Sequence, residues 1–174
     1  MADYRRIYIP GATWFFTVNL AERRNNRLLV ENIDKLRMAF RYTKTRWPFN
    51  INAVVVMPDH LHCICTLPAG DVDFSVRWNL LKGYFSRAIT RGERVSASRA
   101  KRRERGLWQR RFWAHLLVDQ EDFNHHVDYI HWNPVKHGWV RNVADWPYSS
   151  FHRYVEMGVY PVVGPFRTVC YSGQ

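Results

Sequence analysis

Acidic residues, cysteines and long apolar runs are the scarce elements of this chain. Only three cysteines occur, Cys63, Cys65 and Cys170. An odd count with an i, i+2 pair is a poor disulfide framework and fits a reducing compartment better. No run of ~18 apolar residues is present, which argues against a membrane-spanning helix, and residues 1–6 lack the apolar stretch of a secretory signal. A soluble, cytoplasmic and nucleoid-associated protein is the expectation. Asp and Glu number 15 against 26 Lys and Arg, a net charge of +11. That balance calls for a polyanionic partner, with nucleic acid ahead of a membrane surface. Hydrophobic content of 47%, with 16% aromatic, is too high for a disordered chain, and 174 residues fit one domain of ordinary size.

The order of periodic segments predicts an α+β fold. Residues 12–20 are aromatic and β-branched and read as a buried first strand. Residues 32–47 repeat apolar positions at Leu36, Phe40 and Trp47 and read as an amphipathic helix stopped by Pro48. Two short apolar runs, 51–57 and 61–67, flank Pro58-Asp59 as a hairpin. Asp73 caps a second helix with the stripe Phe74, Trp78, Leu81, Phe85 and Ile89, leaving Arg77, Lys82, Arg87 and Arg91 off it. Residues 92–106 carry a dense Arg/Lys block without apolar periodicity and read as a mobile basic loop. Residues 112–118 read as a fourth strand and 119–133 as a third helix stopped by Pro134. Both crossover helices can pack on one face of an antiparallel sheet, a ferredoxin-like arrangement with an extra helix towards the C-terminus. Residues 1–140 are taken as the domain, and 141–174 as a tail packing on it or near its site.

The chemistry-bearing residues fall on two of these elements. His60 and His62 project from one face of a strand and can pinch a metal ion, although a bare pair of this kind also fits ordinary strand-edge histidines. Cys63 and Cys65 alternate out of phase with the histidines, so a His2Cys2 zinc site is geometrically poor and they suit core positions. His125, Tyr129 and Asn133 share one helical face at i, i+4 and i+8. If that face lies over the strand, the Asn133 oxygen completes a mixed N/O site suited to Mg2+ or Mn2+, and Tyr129 stands beside it as a nucleophile on phosphorus. A phenol titrates near ~10 and needs such help at neutral pH. The plainer readings are a core aromatic for Tyr129, a helix stop for Asn133-Pro134 and a surface residue for His125, the candidate auxiliary group.

Single strands are held by cationic grooves interleaved with aromatic platforms. Arg5, Arg6 and Trp14 form one such cluster, and Trp108, Arg110, Arg111 and Trp113 form a second. Ordinary sheet alternation accounts for the second cluster equally well. Lys101, Arg102 and Arg103 read either as a solvated charge run or as a flexible arm making weak, non-specific contact with nucleic acid.

The segments Met57-Pro58-Asp59-His60-Leu61-His62 and 127–138 (VDYIHWNPVKHG) resemble the paired motifs of REP-associated tyrosine transposases, of the HUH single-strand transposase superfamily. Residues 4–6, 11–19, 108–115 and 146–152 resemble that family too, so the likeness spans nearly the whole chain. It implies His60 and His62 as metal ligands, Asn133 as the third, and Tyr129 as nucleophile. It also implies a metal-dependent endonuclease and strand transferase acting on single-stranded REP hairpins with a short tetranucleotide at the foot, through a 5′-phosphotyrosine. The alternative is a catalytically inactive nucleic-acid-binding module on the same fold. A monomer in solution is expected, with a dimer as the alternative. Residues 92–106 are longer than the compact connection expected in the family.

Overall fold

A computed structural model describes residues 9–160. The chain runs β1 (Thr13–Asn19), α1 (Leu28–Glu31), α2 (Ile33–Arg46), β2 (Asn50–Val56), β3 (His60–Thr66), α3 (Phe74–Ala88), α4 (Ala97–Lys101), β4 (Trp113–Leu116), α5 (Gln120–Lys136), a 3-10 turn (Val143–Asp145) and α6 (Phe151–Glu156). The strands form one sheet in the order β2-β3-β1-β4, antiparallel at every pairing. This is the ferredoxin-like arrangement the sequence predicts.

Strand alternation gives the sheet two chemically different faces. Trp14, Phe16 and Val18 of β1 point to one side, where Phe16 packs on Phe74 and Trp78 of α3, with ring centroids 5.3 and 5.2 Å apart. Leu61, Cys63 and Cys65 follow the same parity in β3 and are buried, so the two thiols sit in the core as expected. Burying a side chain the size of Phe16 contributes roughly 1.5–3 kcal/mol. Asp73 caps α3 by accepting from the Val76 amide at 3.0 Å. Arg77, expected off the apolar stripe, is instead buried. Its guanidinium donates to the Asp71 carboxylate at 2.6 Å and to the carbonyls of Asp73 and Pro48, a set of acceptors that makes a buried cation tolerable.

The opposite face carries Phe15, Thr17 and Asn19, and opposite them in register Ile64, His62 and His60 on β3 and His115 and Trp113 on β4. Helix α5 covers this face: Phe15 lies 4.7 Å from the His126 ring and 5.9 Å from the Tyr129 ring. Asp119 caps α5 through the Asp122 amide at 2.8 Å. The helix does not stop at Pro134 but continues to Lys136 with the proline inside it. A proline there forfeits one ladder bond, and the fully buried Ile130 and Asn133 hold the turn in place. The turn ends at Gly138, whose φ of +72° places it in the left-handed region favoured by glycine after a helix.

Residues 92–106 also depart from expectation. They include α4, capped by Ser96, and Arg105 binds the Glu93 carboxylate at 2.6 Å while donating to the carbonyls of Ser86 and Ile89 at the end of α3. The basic segment is therefore tied down by its own arginines, satisfying carbonyls that a helix end leaves unpaired. Beyond α5, Trp146 donates its indole N–H to the Val56 carbonyl at 3.0 Å, and Ser149 bridges to Val55. Residues 143–151 thus lie along the β2 edge, with Val143, Trp146 and Phe151 buried.

Candidate active site

His60 and His62 begin β3, the strand beside β1, and their rings stand 5.0 Å apart. Both are buried, at 4% exposure. Each has its Nδ1 held by a neighbour. Thr17, opposite His62 in the β1–β3 register, places its hydroxyl 2.8 Å from the His62 Nδ1. Asp59 lies 2.7 Å from the His60 Nδ1, and the same carboxylate accepts from Arg23 at 2.6 Å. Anchoring Nδ1 orients each ring and leaves Nε2 as the ligating atom. Among the described residues the buried His62 Nε2 has no hydrogen-bond partner, an arrangement that is costly unless something binds there.

The electrostatics keep these rings neutral. Burial pushes the His62 pKa down to about 3, and the repulsion it would meet from His60 and His137, were those rings protonated, acts in the same direction. His60 is also lowered, chiefly by burial, although Asp59 works in the other direction. Burial alone would raise the Asp59 pKa, but hydrogen bonds from His60 and Arg23 bring it below the usual carboxylate value. Neutral imidazole beside an ionised carboxylate is the state a metal ligand requires.

Tyr129 arrives from the other layer. Its ring lies 5.2 Å from that of His62, and the Lys136 ammonium stands 4.9 Å from the centre of the same ring. The helix has therefore brought the phenol and the imidazole pair together. One turn later, Asn133 is fully buried, and neither its carboxamide oxygen nor its nitrogen has a hydrogen-bond partner among the described residues. Two neutral imidazoles, one with an orphaned Nε2, and an orphaned amide oxygen are donors of the kind that can hold a divalent cation. His125 sits at the outer end of the helical face, exposed, 5.8 Å from the His126 ring.

A residue that the sequence reading missed is His137, whose ring is 5.6 Å from His60. It extends the four-residue spacing of His125, Tyr129 and Asn133 by one more step. Reading Pro134 as a stop concealed it. Thr17 and Arg23 were missed as well, because their roles depend on strand register and loop path.

The nucleic-acid candidates divide sharply. Trp14 and Trp108 are corrected: they are 5% and 6% exposed, Trp14 against Phe74 at 4.9 Å and Trp108 against Phe85 at 5.5 Å. Neither can offer a face to a base. Trp113 is 59% exposed, and its strand register places it opposite Thr17, which in turn faces His62. Arg110 pairs with Glu104 at 2.9 Å, while Arg111, Lys101, Arg102 and Arg103 are exposed. Arg5 and Arg6 lie outside the described residues. Among the described residues, no helix is long and apolar enough to cross a membrane.

Known proteins share this arrangement. The family model described as Transposase IS200 like matches residues 14–133. A REP-associated tyrosine transposase of Escherichia coli (strain K12) is 50% identical over 162 residues, spanning 93% of this chain and 90% of its own length. A Haemophilus influenzae protein named "Putative REP-associated tyrosine transposase" is 43% identical over 162 residues, with 92% of each chain covered. A solved structure of a REP-associated tyrosine transposase bound to a REP hairpin superposes with a TM-score of 0.83 at 48% identity, covering 99% of this chain and 96% of that one. The chain therefore belongs to the IS200-like transposase family, among its REP-associated tyrosine transposases.

Proposed function

We propose that this chain cuts and rejoins single-stranded DNA at the foot of REP hairpins, with Tyr129 as the nucleophile and a divalent cation held by His60, His62 and Asn133. The observation that carries the reading is the 5.2 Å approach of the Tyr129 ring to His62, whose Nε2 has no protein partner. The Tyr129 oxygen attacks the scissile phosphorus and the bond to the 3′-oxygen breaks. The 5′ side stays linked to the tyrosine and the departing strand ends in a 3′-hydroxyl. Attack by a 3′-hydroxyl on the same phosphorus reverses the step and restores the phenol, which makes rejoining the mirror of cutting. A bound Mg2+ or Mn2+ would polarise the phosphate and offset charge on its oxygens. Thr17 and Asp59 hold the two imidazoles in position, and Lys136 adds positive charge beside the phenol.

DNA hairpin binding is supported by the relative whose structure contains a REP hairpin and by the net charge of +11. Trp113 is suited to stack an unpaired base, because its exposed ring stands in the register row that leads through Thr17 to His62. Arg111, exposed two residues before it, would supply a cation for the adjoining backbone. Cleavage of folded hairpin, unstructured single-strand and duplex substrates, each with and without Mg2+ or Mn2+, tests the proposal. Metal-dependent products from hairpin DNA, accompanied by a covalent adduct that Tyr129→Phe removes, are expected. Hairpin binding with no product under any metal condition would instead make the chain a binding module.

A further inference from the structure

We infer that His115, Asp122 and His126 form a second divalent-cation site, separate from the His60–His62 pair and suited to a borderline transition-metal ion of the zinc class. Two independent elements build it. His115 belongs to β4, while Asp122 and His126 are spaced i, i+4 on the first turns of α5. One ligand atom from each of the three lies within 4.8 Å of the other two. The Asp122 Oδ1 lies 3.3 Å from the His115 Nε2 and 3.0 Å from the His126 Nδ1. Donors bound at the ~2.0–2.2 Å typical of zinc to nitrogen and carboxylate oxygen lie about 3–3.5 Å from one another around the ion. The two measured edges already have that length.

The carboxylate is preorganised. The Val118 amide donates to the Asp122 Oδ2 at 3.1 Å, and the Asp122 amide is itself held by the Asp119 cap. The two imidazoles stack with centroids 4.8 Å apart and planes 24° from parallel, so both present a nitrogen to the same carboxylate. His115 is 39% exposed and Asp122 19%, which gives an ion a route in and leaves coordination positions for water or a phosphate oxygen. Two imidazoles and one carboxylate are donors that zinc-class ions favour over Mg2+.

This site shares the sheet face of the first but not its ligands. Phe15 stands between them, its ring 4.7 Å from His126 and 5.5 Å from His62. An ion held here staples β4 to the start of α5, the helix that carries Tyr129 less than a turn beyond His126.

The test uses the tag-free full chain, stripped of metal and dialysed against Zn2+, with bound zinc per chain measured for wild type, His62→Ala, His115→Ala and the combined variant. The site predicts an ion that His62→Ala retains and that His115→Ala loses. Zinc content unchanged by His115→Ala, or abolished by His62→Ala alone, would overturn it. Because only His62→Ala reports on the strand pair, failure of either site is read separately. Anomalous diffraction at the zinc edge from wild-type crystals gives an answer independent of how the variants fold. A peak within ~2.0–2.2 Å of the three donor atoms is expected, and a zinc-loaded crystal with no peak there contradicts the inference.

Discussion

The imidazole-bearing face of the sheet and the arginine-rich connector from residue 92 to 111 are both dense in chemistry, yet their groups are used in opposite ways. On the sheet face His60 and His62 each have one nitrogen anchored, by Asp59 and Thr17, and among the described residues His62 keeps the other without a partner. In the connector, Arg99, Arg105 and Arg110 bind carbonyls and carboxylates of their own chain. A high density of cationic residues is therefore a weaker sign of a binding surface than a buried polar atom with nothing to bind. The connector resembles a clamp, the sheet face a socket.

The sharpest way to break this contrast is to mutate both regions. His62→Ala is expected to reduce metal-dependent cleavage at least ~100-fold, more than the 10–100-fold that loss of a ligand's supporting partner brings. Arg102→Ala with Arg103→Ala should change it by less than about threefold. Equal losses would erase the distinction.

Acid should act on two buried imidazoles, His62 in the socket and His131, whose Nε2 lies 2.9 Å from the Ser150 hydroxyl. His62 and His131 are both held at about 3, by burial first, against an ordinary value of 6.5. Between those values the unfolded chain binds protons that the folded chain refuses, so stability is complete above pH ~6.5 and falls as pH drops towards 3. Each histidine contributes at most ~1.4 kcal/mol per pH unit in that window. Thermal melts of the metal-free chain at pH 7 and pH 5 measure it, and an unchanged midpoint would contradict the burial argument.

Arg105→Met probes the clamp. It removes the partner of Glu93, whose pKa the arginine lowers to about 2, and two carbonyl contacts at the end of α3. A loss of about 2 kcal/mol is expected from denaturant unfolding, with cleavage at saturating DNA little changed. Thr17→Val tests the socket more gently: it should weaken Mn2+ dependence about 10-fold while the fold survives. Smallest of all, Arg111→Ala should reduce the salt dependence of single-strand binding by roughly 0.7 in log–log slope, the share of one phosphate contact.

The strands, the two crossover helices, the shared strand face of His60 and His62 and the shared helical face of Tyr129 and Asn133 were legible in the sequence because strand alternation and helical spacing are local properties. What escaped was decided by tertiary context. Pro134 carries a local stop signal, but the packing of Ile130 and Asn133 overrides it and brings His137 to His60. Trp14 and Trp108 look like platforms beside arginines, yet alternation alone does not say which side of a two-sided sheet reaches solvent. Residues 92–106 have no apolar period, and their order comes from side chains reaching carbonyls across the chain, which no windowed pattern detects.

The central claim is that one phenol and one imidazole pair act on the same phosphate. It is tested most directly by incubating the chain with a hairpin substrate and Mn2+, digesting the covalent product and locating the nucleotide by mass spectrometry. The adduct is expected on the peptide containing Tyr129 and is expected to disappear in His62→Ala. An adduct on any other tyrosine, or one that forms undiminished without His62, would contradict it.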